Sequence, residues 1–426
     1  MTESLGAELH RWIRELYPIG RSLTGNGVRQ TLRRLGEIVP MSIREVPSGT
    51  QVLDWTVPAE WNLKEAWIET SGGERIVDAG RSTLHVVGYS RPVRARLTLA
   101  ELRPHLFSLP EHPDWIPYRT SYYADGWGFC LTDRQLRALP EDRYEVCIDA
   151  SLAPGSLTYG ECELPGESTD EILLSTHVCH PALCNDNLSG LVIAAFLGRR
   201  LAARRHRHTY RILFVPGTIG SITWLAQNET HLDRIAHGLV LTCLGDAGSL
   251  SYKRSRRGDA IVDRAAAHVL AARGPHRILD FSPWGYDERQ YCSPGFDLPV
   301  GCLMRTPHGQ FPQYHTSADD LELVRPETLA DSLDACEAIL DLLDRNRAFV
   351  NLSPKGEPQL GRRGLYPAVG GGAQGTEQLA LLWVLNLSDG RHTLLDIAER
   401  ARLPFDLIDR AAGALAAHGL LHAAPR

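Results

Sequence analysis

The chain has 426 residues, 43% of them hydrophobic and 23% charged, and a formal net charge of −6. This length suggests two or three domains with a core of ordinary size, and the acidic balance lacks the basic footprint of a nucleic-acid binder. Nine cysteines without regular spacing fit reduced thiols better than a disulfide framework.

The first residues, "MTESLGAELHRWIREL", read as an amphipathic helix. They lack the basic start, apolar run and small-residue cleavage site of a signal peptide. No apolar run approaches membrane-spanning length, so a cytoplasmic protein with no membrane partner is expected. The turn-rich "YPIGRSLTGNGVRQTL" interrupts the helix, which resumes near Gly27. From about 51 to 155 short apolar stretches alternate with Pro, Gly and Asp turns, the texture of a β-rich module. From 156 to 348 strands and helices alternate. "EILLSTH", "TYRILFVPG", "HGLVLTCLGD" and "DLPVGCLM" read as strands. "NLSGLVIAAFLGRRLAARR", "SITWLAQNETHL", "DAIVDRAAAHVLAARG" and "RPETLADSLDACEAILDLLDRN" read as helices by their three- and four-residue apolar spacing. Such alternation predicts an α/β fold with a mostly parallel sheet and helices on both faces.

Residues 349–375 read as a Gly- and Pro-rich linker, and 376–426 as a small helical unit of winged-helix type. That unit holds five Arg and no Lys against six acidic residues. A DNA reader needs phosphate-neutralising charge, so a packing or dimerisation module, giving a homo-oligomer, is favoured over DNA binding.

Ligands of such a sheet collect at the carboxyl ends of its strands. His177 and His180 follow "EILLST", Asp246 follows "GLVLTCLG", and His315 sits in "QYHTSADDLE". Imidazole and carboxylate suit a Zn²⁺-like ion, and a catalytic zinc keeps one position open for water. Asp186 precedes a helix and is either its N-cap or a carboxylate bridging two ions; the histidines just before it favour the ligand. A structural site from Cys179 and Cys184 with the histidines lacks the paired spacing it needs. "GTIGS" lacks the Lys-Ser/Thr ending of a phosphate loop, and no Gly-x-Ser-x-Gly elbow appears in a strand-turn-helix context.

In this order, "HVCHPALCNDNLSG", "PGTIGS", "YDERQYCSPGFDLPVG" and "YHTSADDLE" resemble the aminopeptidase-like proteins related to the M28 zinc peptidases. Together with "YPIGRSLTGNGVRQTL", "VLDWTVPAEWNLKEAWI" and "IPYRTSYYADGWGFCL", nearly the whole chain resembles a bacterial group of DUF4910 type. In that group a β-rich module (DUF2172) is inserted in the peptidase-like domain and a winged helix follows. The resemblance implies a zinc-peptidase-like (phosphorylase/hydrolase-like) three-layer α/β/α core over 1–50 and 156–348, with a co-catalytic zinc site of one or two ions. His177 matches the first metal histidine, Asp186 the bridging aspartate, His315 the last histidine and Asp246 a later acidic ligand. "YDERQYCSPGFDLPV" is similar to the segment beside the substrate, which puts Asp287 and Glu288 near the metal.

This sequence departs from that pattern at one place. M28 peptidases carry a Glu-Glu pair before their "GS" helix; here the stretch reads "FVPGTIGS", with Gly217 where an acid is wanted and no acidic residue between Arg211 and Gln227. Three readings follow: Glu288 supplies the base from its loop, His180 completes the second metal, or the protein binds without cutting. A metal-bound water still needs a proton acceptor, and Glu288 is the residue expected in that role. Tyr314 is either an oxyanion donor or a packed ring. Asp319 or Asp320 either orients His315 or caps the following helix. The run Lys253–Asp259 reads as a solvated loop, with contact to an anionic substrate end as the alternative, and whether Arg21 reaches the site from the N-terminal segment is not settled by the sequence. The expected protein is a metal-dependent amide hydrolase of aminopeptidase type. Its substrate would be a small peptide or aminoacylated metabolite, in natural-product or surface-polysaccharide biosynthesis. The alternative is a catalytically degenerate, peptidase-like binding or scaffold protein.

Overall fold

The computed structural model describes residues 4–366 and 375–424. The chain divides into two compact units, 1–337 and 338–426, with the boundary inside the helix Pro326–Arg345.

The larger unit is built on an eight-stranded sheet. Its strands are β1 (Ser42–Pro47), β2 (Ser156–Leu164), β3 (Ser168–His177), β4 (His208–Val215), β5 (Ile235–Leu241), β6 (Leu250–Lys253), β7 (His276–Leu279) and β8 (Val300–Met304). Their order across the sheet is β1-β2-β4-β3-β5-β8-β6-β7. The centre, β4-β3-β5-β8, is parallel. These are the strands whose sequences are nearly continuous apolar runs, as burial on both faces requires. The flanks differ from the mostly parallel sheet expected: β1 and β2 pair antiparallel, β2 joins β4 antiparallel, and β6 joins β8 antiparallel. β6 and β7 are four-residue strands, too short for a period-2 signal, and escaped the sequence reading.

The helix Gly190–Ala202 is buried from Gly190 through Gly198, which fits its apolar surface all round rather than on one stripe. The chain leaves β3 to form β4 on one side of it, then crosses to form β5 on the other. The strand order therefore reverses at β3, and the crevice beyond the carboxyl ends of β3 and β5 is where an α/β sheet offers a binding site.

Residues 60–153 hold a second, four-stranded antiparallel sheet, ordered Arg75–Asp78, Glu60–Glu69, Arg143–Ala153, Val93–Thr98. Its Trp61, Ile68, Tyr144 and Ile148 belong to the same apolar cluster as Tyr159, Leu213 and Trp224 of the main sheet region.

In the smaller unit the helices Thr376–Leu387, Leu394–Ala401 and Phe405–Ala417 accompany a three-stranded sheet, Asp389–Thr393, Ala348–Asn351, Leu421–Ala423. The stretch expected to be linker from 349 thus opens with the central strand of this sheet. Residues 367–374 of that stretch lie outside the described residues. No described helix is long and apolar enough to cross a membrane.

Candidate metal centre

β3 ends at His177, and the chain then runs through His180 into a tight turn, Cys184–Ser189, that carries Asp186. Asp186 is fully buried and lies at the centre of the group. Its Oδ1 is 2.8 Å from His177 Nε2, and its Oδ2 is 2.9 Å from His315 Nε2 and 3.9 Å from His180 Nε2. The ligating atoms of His177, His180 and Asp186 all lie within 4.8 Å of one another. The ring of His180 is 4.9 Å from that of His177 and 5.1 Å from that of His315.

The electrostatics fit a cation. Burial alone would raise the Asp186 carboxyl, but His180, His177 and His315 overcome it and hold it well below the usual range. Burial pushes His180 well below its ordinary value, so its imidazole is neutral and keeps a lone pair. Three imidazoles around one ionised, buried carboxylate are a donor set suited to Zn²⁺.

The turn is held from outside. Asp319 accepts from the backbone N–H of Asn185 (2.6 Å) and of Asp186 (2.9 Å), and its own carbonyl accepts from Cys184 N–H (2.9 Å). Asp319 thus positions the Asp186 turn rather than His315, while Asp320 accepts from Glu322 and Leu323 within its own loop. Asp186 is no helix cap; the helix starts after Ser189 without a side-chain cap. Arg21, buried, donates from Nε to the His180 carbonyl at 2.8 Å and from Nη1 to the Leu16 carbonyl at 2.7 Å, so it does reach the site.

Three expected roles need correction. Asp246 is not with the donors. Its carboxylate accepts from Asn185 Nδ2 (2.9 Å), Gly248 N–H (2.6 Å), Thr306 N–H (3.2 Å) and Thr306 Oγ1 (2.6 Å). It braces the turn through Asn185 and has no lone pair free for an ion. Glu288 is not a free loop carboxylate. It begins a short helix, Glu288–Tyr291, is fully buried, pairs with Lys253 and accepts from Tyr286 N–H. Lys253, expected in a solvated loop, is the buried last residue of β6. Tyr314 stacks on His315, centroids 3.9 Å apart, and is a packed ring.

Asp287 differs from its neighbour. Its Oδ1 accepts from Thr218 N–H (2.7 Å) and Ser221 Oγ (3.0 Å), whereas Oδ2 is buried without a partner among the described residues. Burial pushes it up to about 6, against the pull of His177.

The sequence reading did not single out Tyr286, Tyr118, Cys243 or His308. Tyr286 stacks on His177 with centroids 3.7 Å apart, and a Cβ at Gly217 would collide with its ring and hydroxyl. A phenol therefore occupies the room beside Gly217. Tyr118 lies between the strands Val93–Thr98 and Arg143–Ala153; its N–H donates to the His315 carbonyl at 2.8 Å, and its ring lies 5.0 Å from His180 and 5.1 Å from His315. The aromatic run "WIPYRTSYY" was its only signal. Cys179 Sγ lies 3.3 Å from His180 Nδ1 and accepts from Gly217 N–H at 3.2 Å.

Residues 10–346 match the family described as "Domain of unknown function (DUF4910)". The chain belongs to the DUF4910 family. Residues 347–423 match a winged helix-turn-helix family, and the smaller unit is a winged-helix domain. A Clostridium acetobutylicum protein named "Putative polysaccharide biosynthesis protein with aminopeptidase-like domain" is 50% identical over 412 residues, which is 96% of this chain and 95% of that one. A crystal structure described as a "putative peptidase", also from Clostridium acetobutylicum, superposes with a TM-score of 0.94 at 48% identity, over 98% of this chain and 96% of that one. The zinc aminopeptidase BSAP of Bacillus subtilis superposes with a TM-score of 0.58 at 13% identity, over 79% of this chain and 95% of its own. The DUF4910 core thus has the fold of M28-type aminopeptidases.

Proposed function

We propose that this DUF4910 protein is a zinc-dependent hydrolase that cuts an amide bond in a small peptide or an aminoacylated metabolite. The observation behind this reading is the single buried carboxylate of Asp186, approached by His177, His180 and His315 at the carboxyl edge of the sheet. A bound zinc would polarise the amide carbonyl and lower the pKa of a water toward neutrality. The chain's own residues would do the rest. Asp319 and Asp246 hold the Asp186 turn, Tyr286 fixes the plane of His177, and Tyr118 walls the site beside His180 and His315. Proton transfer falls to Asp287, since Glu288 is committed to Lys253. The name of the Clostridium acetobutylicum relative supports a role in polysaccharide biosynthesis, and nine free, buried cysteines fit a cytoplasmic setting. In this reading residues 1–50 and 156–348 form the metal-holding domain and 51–155 an inserted module that supplies a wall of the site. The winged helix, with its acidic balance, packs or dimerises rather than reading DNA.

A second reading has its own support: Tyr286 fills the room beside Gly217, so no carboxylate reaches the site from β4. That favours a peptidase-like binding protein. The test is zinc content of the full chain together with hydrolysis of an aminoacyl-amide panel. Stoichiometric zinc with turnover that Asp287→Asn removes supports the hydrolase. Zinc with no turnover on any amide supports the binding protein. Protein that takes up no zinc overturns the hydrolase and leaves the binding protein.

A further inference from the structure

Asp186 belongs to two donor groups. The second consists of Asp186, Cys243 and His308, whose ligating atoms also lie within 4.8 Å of one another. Cys243 follows β5 and His308 lies in the loop after β8. These strands are parallel neighbours, so their carboxyl ends deliver both side chains to the same edge as His177.

The two new donors are held in place. Cys243 is fully buried and its backbone is left-handed, φ 48°. That conformation is kept by its N–H donating to Asn187 Oδ1 at 3.3 Å and its carbonyl accepting from Arg305 N–H at 2.9 Å. His308 Nε2 lies 3.3 Å from Thr242 Oγ1, and the ring stacks on Tyr286 with centroids 5.8 Å apart and meets Tyr314 edge-on at 6.0 Å. Burial keeps the free Cys243 thiol protonated and the His308 imidazole neutral. Neither side chain has a part in the chemistry described above.

We infer that Asp186, Cys243 and His308 form a second cation site that takes a thiophilic divalent ion, Zn²⁺ above all, with Asp186 shared between the two sites. A thiolate, an imidazole and a carboxylate are a zinc donor set. Loading the site removes the Cys243 thiol proton, which goes to solvent, and the sulfur binds as thiolate. The second ion would thus be held from the β5–β8 side, since the β4 side is filled by Tyr286 at Gly217. The inference rests on the metal-centre reading only for Asp186.

The test uses the full chain, stripped with a chelator and reloaded with Zn²⁺ or, as a spectroscopic probe, Co²⁺. Wild type is expected to retain close to two zinc ions per chain, and its cobalt form to show a thiolate-to-metal charge-transfer band in the near ultraviolet. Cys243→Ser and His308→Ala should each drop to about one ion. Cys243→Ser should lose the band, and Cys179→Ser, which removes the thiol beside His180, should keep it. Cys243→Ser is close to isosteric, and its melting curve reports folding; Cys243→Ala serves as a second variant. One ion per chain without a thiolate band overturns the second site and leaves the first intact. Two ions whose number and spectrum ignore Cys243 and His308, or a band that follows Cys179, also overturn it. No ion at all removes both sites, so the two failures are distinguishable.

Discussion

Asp287 and Glu288 are adjacent, and their surroundings assign them opposite work. Glu288 neutralises the buried Lys253, and removing one partner of a buried pair leaves the other charge uncompensated. Glu288→Gln is therefore expected to cost about 3 kcal/mol of stability, read by denaturant unfolding, while zinc content and the turnover of the folded fraction persist. Asp287→Asn should do the reverse, with near-normal stability and a kcat reduced about 10²- to 10⁴-fold, the usual range for a lost proton-transfer group. The pH profile follows from sign. A base must be ionised, and burial pushes Asp287 up to about 6 against the pull of His177. A cation beside His177 favours the carboxylate and lowers that value further. Turnover should thus rise with pH to a plateau, with its acid limb at or below about 6, and a limb well above 6 would assign the base elsewhere.

The turn Cys184–Ser189 and the loop at Gly217 show how elements, rather than single side chains, shape the centre. Asp319 grips the turn by two backbone N–H groups. Asp319→Ala should weaken zinc binding about 10- to 100-fold, as loss of an outer partner does, measured by chelator competition in folded protein. At Gly217 there is no room: Gly217→Ala should destabilise by about 1–3 kcal/mol, the cost of overpacking, and Tyr286→Ala in the same chain should recover most of it. If the double variant is no more stable than Gly217→Ala alone, the phenol is not what fills the loop. These elements also mark what was legible in the sequence. The apolar strands β3, β4, β5 and β8 and the long helices announced themselves by period, His177, His180 and His315 by falling at predicted strand ends or in the loops after them, and Asp186 by the histidines just before it. Asp246 also falls at a strand end, but chain position does not say which way a side chain points; Thr306 and Asn185 decide that. Cys243 and His308 stayed hidden because only the pairing of β5 with β8 makes them neighbours. Glu288 looked free because its partner, Lys253, sits on a strand too short to read.

At the scale of the whole molecule the metal centre acts as a cross-link. Its donors come from the end of β3, the Asp186 turn and the loop after β8, and all lie in the larger unit, 1–337. An ion that binds only the assembled donors stabilises the folded state by RT ln(1 + [L]/Kd), about 2.7 kcal/mol when free zinc is 100-fold above Kd. For a unit of this size that raises the melting temperature by roughly 5 °C. The stripped protein should still fold, because the apolar core beneath the donors, with Leu173, Leu213, Val240 and Leu303 buried, does not depend on them. Among the described residues, none of the donors lies in the winged-helix unit, 338–426. Calorimetry of the full chain should therefore show zinc raising the transition of the larger unit and leaving unmoved any transition that belongs to the smaller one. In His177→Ala the rise should shrink to what the Asp186, Cys243 and His308 site contributes, and the stripped melting temperature should fall, because a buried ring that packs on Tyr286 and meets Asp186 is removed. An equal rise in His177→Ala would mean that zinc stabilises the chain from some other place, and the shared carboxylate of Asp186 would no longer be the point that joins these loops.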